Sequence, residues 1–114
     1  FFITTAIDYP NAEPHIGTAF EKIGADVQAR FQKLAYGKRP YLLMGNDENT
    51  QKVAKAAKAK GMDPKVYADA MAGNFRSTWR LLDIDYGFFC QTTHAKHHRY
   101  CREFLQKCFE NGFV

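Results

Sequence analysis

Residues 40–44, Pro-Tyr-Leu-Leu-Met, form a continuous apolar run with no polar alternation. A run of this kind suits a strand covered on both faces, as in a parallel sheet. The segments around it carry a helical period. Upstream, Ile16, Phe20, Ile23, Val27, Phe31 and Leu34 recur at steps of three and four and make one apolar helix face. Pro14 suits the first turn of that helix, and Gly37 is its expected end. Residues 1–7 are rich in Phe, Ile and Thr and read as a first strand. After the apolar run, Gly45 to Thr50 reads as a polar loop, followed by an Ala/Lys helix to Gly61. Asp63-Pro64 is an N-cap with proline at the first helical position, opening a helix whose buried stripe is Tyr67, Met71, Phe75, Trp79 and Leu82. A weak strand over 86–91 comes next. A last helix begins near Thr93, carries Tyr100, Phe104, Leu105 and Cys108 inward, and stops near Asn111-Gly112.

The order strand, helix, strand, helix, helix, strand, helix predicts an α/β fold: a mostly parallel three-stranded sheet with flanking helices, right-handed crossovers, and the first strand beside the second. One unit spanning residues 1–114, without a second domain, fits 114 residues that are 46% hydrophobic and 25% charged. Phe1 in place of Met, and Val114 directly after Gly112-Phe113, suggest a part of a longer chain. The net charge of +4 rests partly on Lys52, Lys55, Lys58 and Lys60 and on His97, His98, Arg99 and Arg102. These clusters suit phosphate-bearing partners or two solvated helix faces. Three cysteines without paired spacing argue for a reducing compartment, hence a cytoplasmic location. No apolar run approaches the ~18 residues of a membrane span, and the first residues lack the basic region of a signal peptide.

Ligands of open α/β sheets bind beyond the carboxyl ends of the strands. Two polar segments fall there, Asp8 to Gly17 and Gly45 to Thr50. The first opens a helix with Pro14-His15-Ile16-Gly17-Thr18. Free N–H groups and the dipole at a helix N-terminus attract anions. A histidine there can donate to a phosphate oxygen, and a glycine two residues on lets a flat base or ribose approach. This is the pattern of a nucleotide-phosphate site, with a plain helix start as the alternative. The G-x-G-x-x-G and P-loop patterns are absent. Cys90, His94, His97, His98 and Cys101 lie close in sequence but match no standard zinc spacing, so no metal is assigned to them. Asp26 and Arg30, four apart, are expected to form a structural ion pair.

His15-Ile16-Gly17-Thr18 resembles the "HIGH" signature of class I aminoacyl-tRNA synthetases. Ile3-Thr4-Thr5-Ala6-Ile7-Asp8-Tyr9-Pro10-Asn11 ahead of it, Ala25-Asp26-Val27 and Arg30 after it, Gly45-Asn46-Asp47-Glu48 in place of "GTDEHG", and Trp79-Arg80-Leu81-Leu82-Asp83-Ile84 with Thr92-Thr93 all resemble the methionyl-tRNA synthetases. The resemblance spans essentially the whole chain. It implies the N-terminal part of a Rossmann-like (HUP-type) catalytic domain of a methionine–tRNA ligase. It further implies ATP as substrate with Mg2+, and methionine and tRNA(Met) as partners. Catalytic roles fall to His15 and Thr18, ATP binding to His15, Gly17 and Thr18, and methionine binding to Ala6, Ile7, Tyr9 and Asp47. Tyr9 as a turn aromatic and Asp47 as a helix cap are the plainer alternatives. Thr18 replaces the signature's last histidine but keeps a hydroxyl. Asn49 and Thr50 stand where the family has His and Gly, so no role carries over to them. The "KMSKS" signature and the family's zinc-bearing insert have no counterpart in this sequence. A Leu, Ile, Val or Cys type of class I synthetase, or a non-catalytic nucleotide-binding piece, are the competing readings.

Overall fold

The computed structural model describes all of residues 1–114. Three strands, β1 (Phe2–Thr4), β2 (Tyr41–Asn46) and β3 (Phe88–Gln91), alternate with four helices. These are α1 (Ile16–Tyr36), α2 (Gln51–Ala59), α3 (Pro64–Leu81) and α4 (Ala95–Glu110). The sheet order is β1-β2-β3 and both pairings are parallel, with Ile3 opposite Leu42 and Met44 opposite Phe89. The expected α/β architecture is therefore present, with β1 beside β2.

The core follows from the apolar run and the α3 stripe. Leu42 and Met44 of β2, Phe89 of β3, Val53 and Ala57 of α2, and Tyr67, Met71, Phe75 and Trp79 of α3 pack into one cluster. The rings of Phe75 and Trp79 meet edge to face at 5.8 Å. α3 starts as the sequence predicts: the Asp63 carboxylate accepts from the N–H groups of Lys65 and Val66, and Pro64 takes the first helical position. Gly37 closes α1 in the left-handed conformation, its N–H bonded to the Lys33 carbonyl at 3.0 Å. Asp26 and Arg30 pair at 2.7 Å, and Asp26 also accepts the Asp85 N–H.

Several expectations are corrected. Pro14 lies outside α1, because His15 is the N-cap. α4 begins at Ala95 with His94 as its cap. Gly45 and Asn46 belong to β2 rather than to the loop after it. The Ile16–Leu34 stripe of α1 is exposed throughout, with Phe20 at 81% and Leu34 at 84%. α1 instead turns Lys22, Ala25, Asp26 and Ala29 inward, where two alanines allow close approach and the two charges find partners. α4 buries nothing fully; Tyr100, Phe104 and Leu105 face solvent and Cys108 is half-buried. Leu82 is the C-cap of α3 and is exposed, its helix having ended a residue earlier.

Gly45 marks a close approach of β2 to β3. A Cβ there falls 2.2 Å from the Cys90 carbonyl oxygen, a backbone atom that cannot turn away. Gly45→Ala is therefore expected to lower stability by about 1–3 kcal/mol or more. Gly24→Ala, inside α1 with nothing within 4 Å of its Cβ, is expected to raise it by roughly 0.5–1 kcal/mol. Urea denaturation of the intact protein checks both; equal effects at the two positions overturn the steric account.

Candidate active site at the carboxyl ends of β1 and β2

Pairing with β2 continues after β1 ends. The Thr5 N–H donates to Leu43 O (3.2 Å) and the Asp8 N–H to Gly45 O (3.2 Å). The Asp47 N–H then donates to Asp8 O (2.9 Å), so Asp8 and Asn46 form an isolated parallel bridge. The buried Asn46 amide adds a bond to Asp8 O at 3.3 Å. These contacts place the segment Ala6–Tyr9 alongside Asp47. Further along, the Tyr67 hydroxyl donates to Asn11 O (3.2 Å), the Asn74 amide donates to the Glu13 carboxylate (2.9 Å), and Lys52 sits 5.0 Å from the centre of the Tyr9 ring. The loop into α1 is thus held from α2 and α3. Ala6, Ile7 and Tyr9 are exposed on this edge.

At the head of α1, the Gly17 N–H donates to Nδ1 of His15 at 3.1 Å. With Nδ1 accepting, the neutral ring carries its proton on Nε2, which has no hydrogen-bond partner. Thr18 completes a capping box. Its Oγ1 accepts the His15 N–H (3.1 Å) and donates to His15 O (2.7 Å). A Cβ at Gly17 would stand 3.0 Å from the imidazole, so the glycine leaves room for the folded-back ring.

The two carboxylates differ. Asp8 lies 3.0 Å from the fully buried Lys22 ammonium, whereas half-buried Asp47 pairs with no cation. Asp47 is not a helix cap either, because Thr50 caps α2 through the Val53 N–H. Asn49 bonds Thr92 O at 3.4 Å and lies 3.3 Å from His98 Nε2.

Two groups escaped the sequence reading. Lys22 donates to Ala6 O (2.9 Å) and to Glu21 (2.9 Å), and Glu21 accepts the Ala6 N–H (2.7 Å). Glu48, buried, takes bonds from the Gln91 amide (2.9 Å) and from the N–H and hydroxyl of Thr93, tying the loop after β2 to the loop after β3. A charged residue between apolar neighbours, as Lys22 is between Phe20 and Ile23, leaves no periodic signal. Thr92-Thr93 directly after a strand was the visible hint for Glu48.

The His/Cys cluster near α4 gathers no group of three ligands able to hold a metal. Burial, then the charges of Glu48 and Cys101, push the Cys90 thiol up, which keeps it protonated and a poor ligand. His97 and Cys101 lie 3.4 Å apart on the exposed face of α4. The hollow of about 420 Å³ between β3 and α4 contains none of the sequence-assigned site residues.

A parallel α/β unit with a His-Ile-Gly-Thr helix start after β1, and an acidic loop after β2 held against the first, has the build of a class I aminoacyl-tRNA synthetase catalytic domain. The chain belongs to the family described as tRNA synthetases class I (M), whose model matches residues 1–114. It is 45% identical to the methionine–tRNA ligase of Deinococcus radiodurans over 100% of this chain and 17% of that protein. It is 41% identical to the chloroplastic/mitochondrial methionine–tRNA ligase of Arabidopsis thaliana, over 100% of this chain and 18% of the relative. The Mycobacterium tuberculosis methionyl-tRNA synthetase, solved with methionyl-adenylate, superposes with a TM-score of 0.83 at 40% identity, covering 87% of this chain and 19% of that one. The Agrobacterium radiobacter LeuRS, in a ternary complex with tRNA and LeuAMS, superposes at 0.90 with 19% identity over 98% of this chain and 15% of that one, a likeness of fold alone. The chain therefore spans under a quarter of the length of these relatives.

Burial pushes the Glu21 carboxyl up, but bonds from Lys22 and the Ala6 N–H, with the Lys22 charge, outweigh it and hold Glu21 below its ordinary 4.5. A carboxylate depressed on folding contributes stability that is complete above its unfolded value and is lost as pH falls through the folded one. The Lys22–Glu21 contribution is therefore expected to be intact at neutral pH and to fade below 4.5. Urea midpoints of the intact protein between about pH 3 and 7 check this, with Glu21→Gln flattening the acid limb. An unchanged acid limb in that variant removes Glu21 from the account.

Proposed function

We propose that this chain supplies one wall of a site in which methionine is activated by ATP and then transferred to tRNA(Met). One observation carries the reading: an acidic side chain without a cation partner, Asp47, is held beside the Ala6–Tyr9 segment, next in the chain to a helix start whose His15 Nε2–H is unspent. In the reaction the methionine carboxylate oxygen bonds to the α-phosphorus of ATP as the bond to pyrophosphate breaks. Such a displacement asks the protein for positioning and for stabilisation of spreading charge, not for a nucleophile. His15 donates to the phosphate oxygens at the positive end of α1, and Thr18 holds the cap that aims it. Gly17 lets the nucleoside approach. Asp47 takes the methionine ammonium, a charge-assisted contact that directs the carboxylate. Ala6, Ile7 and Tyr9 line the side-chain pocket, where an aromatic ring suits a thioether. Mg2+ enters with the ATP phosphates, and a zinc ion belongs to the family's later insert rather than to these residues. Three free cysteines suit the reducing cytoplasm, and no helix is long and apolar enough to cross a membrane.

Amino-acid-dependent pyrophosphate exchange by the intact parent protein tests the reading: methionine is expected to support exchange, and leucine, isoleucine, valine and cysteine are not. Exchange with leucine alone overturns the methionine assignment. In that protein His15→Ala is expected to lower kcat for adenylate formation by ~10²–10³ with little change in the KM for methionine. Asp47→Ala is expected to raise the KM for methionine, with some loss of kcat. Pre-steady-state adenylate formation separates the two, and weakened methionine binding in His15→Ala with intact chemistry reverses the assignment. The 114 residues alone are expected to form no methionyl-adenylate at a useful rate, because nothing here clamps the leaving pyrophosphate; robust exchange by that piece contradicts this.

A further inference from the structure

We infer that Lys22 is a positioning residue for amino-acid binding: its buried ammonium, framed by Glu21 and Asp8, fixes the main chain of Ala6–Asp8 in the shape that the amino-acid side chain meets. The inference rests on the methionine reading of that segment. Lys22 has no solvent exposure, which is costly for an ammonium unless every proton is satisfied. Its ammonium donates to Ala6 O at 2.9 Å and to Glu21 Oε2 at 2.9 Å, and Asp8 Oδ2 lies 3.0 Å away as an ion-pair partner.

The geometry is a clamp on one residue. The Ala6 N–H goes to Glu21 Oε1 at 2.7 Å, so both polar groups of Ala6 are taken by adjacent side chains of α1. These groups have no partner in the sheet, because after the Thr5 N–H bond to Leu43 O the next backbone bond to β2 comes from Asp8. Between those points the sheet does not fix the chain, and α1 does. Lys22 also neutralises Asp8, leaving Asp47 as the neighbouring carboxylate without a cation. Neither role brings Lys22 into contact with a ligand, since the side chain is covered.

The test uses the full-length parent enzyme in methionine-dependent pyrophosphate exchange. Lys22→Met keeps the length of the side chain and removes the clamp. It is expected to raise the KM for methionine about tenfold or more, with the KM for ATP unchanged to within about twofold. Because this variant leaves Asp8 charged and unpaired, Lys22→Met/Asp8→Asn is measured alongside it. Removing the orphan charge is expected to recover the melting temperature, while the KM for methionine stays raised. Glu21→Ala, at an exposed position, takes away the acceptor of the Ala6 N–H and one partner of Lys22, leaving Lys22 its contacts to Ala6 O and Asp8, and is expected to raise the methionine KM about threefold or more. A methionine KM restored to wild type in the double variant reduces Lys22 to a counter-ion for Asp8 and overturns the proposal. So does a parallel rise in both KM values. If both Lys22 variants fail to fold, an unchanged methionine KM in Glu21→Ala overturns it alone. Wild-type enzyme that exchanges with a different amino acid defeats the methionine reading instead, and is recognised before any variant is made.

Discussion

The backbone bridge between Asp8 and Asn46 is the contact on which the candidate site depends. β1 has only three residues, two of them exposed, too little to orient the chain that follows. The N–H of Asp8 to Gly45, and of Asp47 to Asp8, renew the pairing beyond that strand and force the two loops to run together. The cost falls on Asn46. Its side chain is fully buried, with the amide nitrogen on Asp8 O and the carbonyl oxygen without a partner. An unmet buried acceptor costs about 1–3 kcal/mol. The bridge therefore sits in a tightly packed strand end, where Gly45 brings β2 against the Cys90 carbonyl.

Around the bridge, charge is distributed so that the carboxylates take different parts. Asp8 and Glu21 are committed to Lys22, Asp26 to Arg30 and the Asp85 N–H, and Glu48 to Gln91 and Thr93. Each commitment is structural: the first shapes the Ala6–Asp8 segment, the second fixes α1 to the chain before β3, the third joins the loops after β2 and β3. Breaking a buried pair strands a charge and is strongly destabilising, even where the pair itself adds little. Asp47 stands apart, half-buried and without a cation.

The parts of the fold legible in the sequence were those set by local chemistry. Asp63-Pro64 announced α3 and its stripe from Tyr67 to Trp79, the apolar run announced β2, and the alternation of elements gave the parallel order. The segments at the carboxyl ends of β1 and β2 were legible for the same reason, since they follow strands and precede helices. Lys22 and Glu48 were not, because both are charged residues whose burial depends on partners in other segments: Ala6 and Asp8 for the first, Gln91 and Thr93 for the second. The cap role of Thr50 was hidden by reading Asn49-Thr50 against the family motif rather than against helix-capping preference.

The inversion of α1 carries the remaining lesson. Periodicity found its apolar stripe correctly, yet the structure turns Ala25, Ala29, Lys22 and Asp26 inward and leaves Ile16, Phe20 and Leu34 in solvent. Period alone reports that a face is apolar, not which neighbour covers it. The sheet order adds the missing constraint. With β1 at an edge, one side of β1 has no neighbouring strand. In doubly wound sheets the strand order reverses about the first strand, and ligands sit in the crevice that the reversal opens. Ala6–Tyr9 and His15–Thr18 leave the sheet from that edge strand. The side of β1 away from β2 is open to a further strand. In relatives of which this chain matches only 17–18%, there is ample sequence to supply it and to cover α1. The exposed stripe and the open sheet edge are both surfaces that these 114 residues leave uncovered, while the face of α1 with charges and alanines is covered by the Ala6–Asp8 segment and the chain before β3.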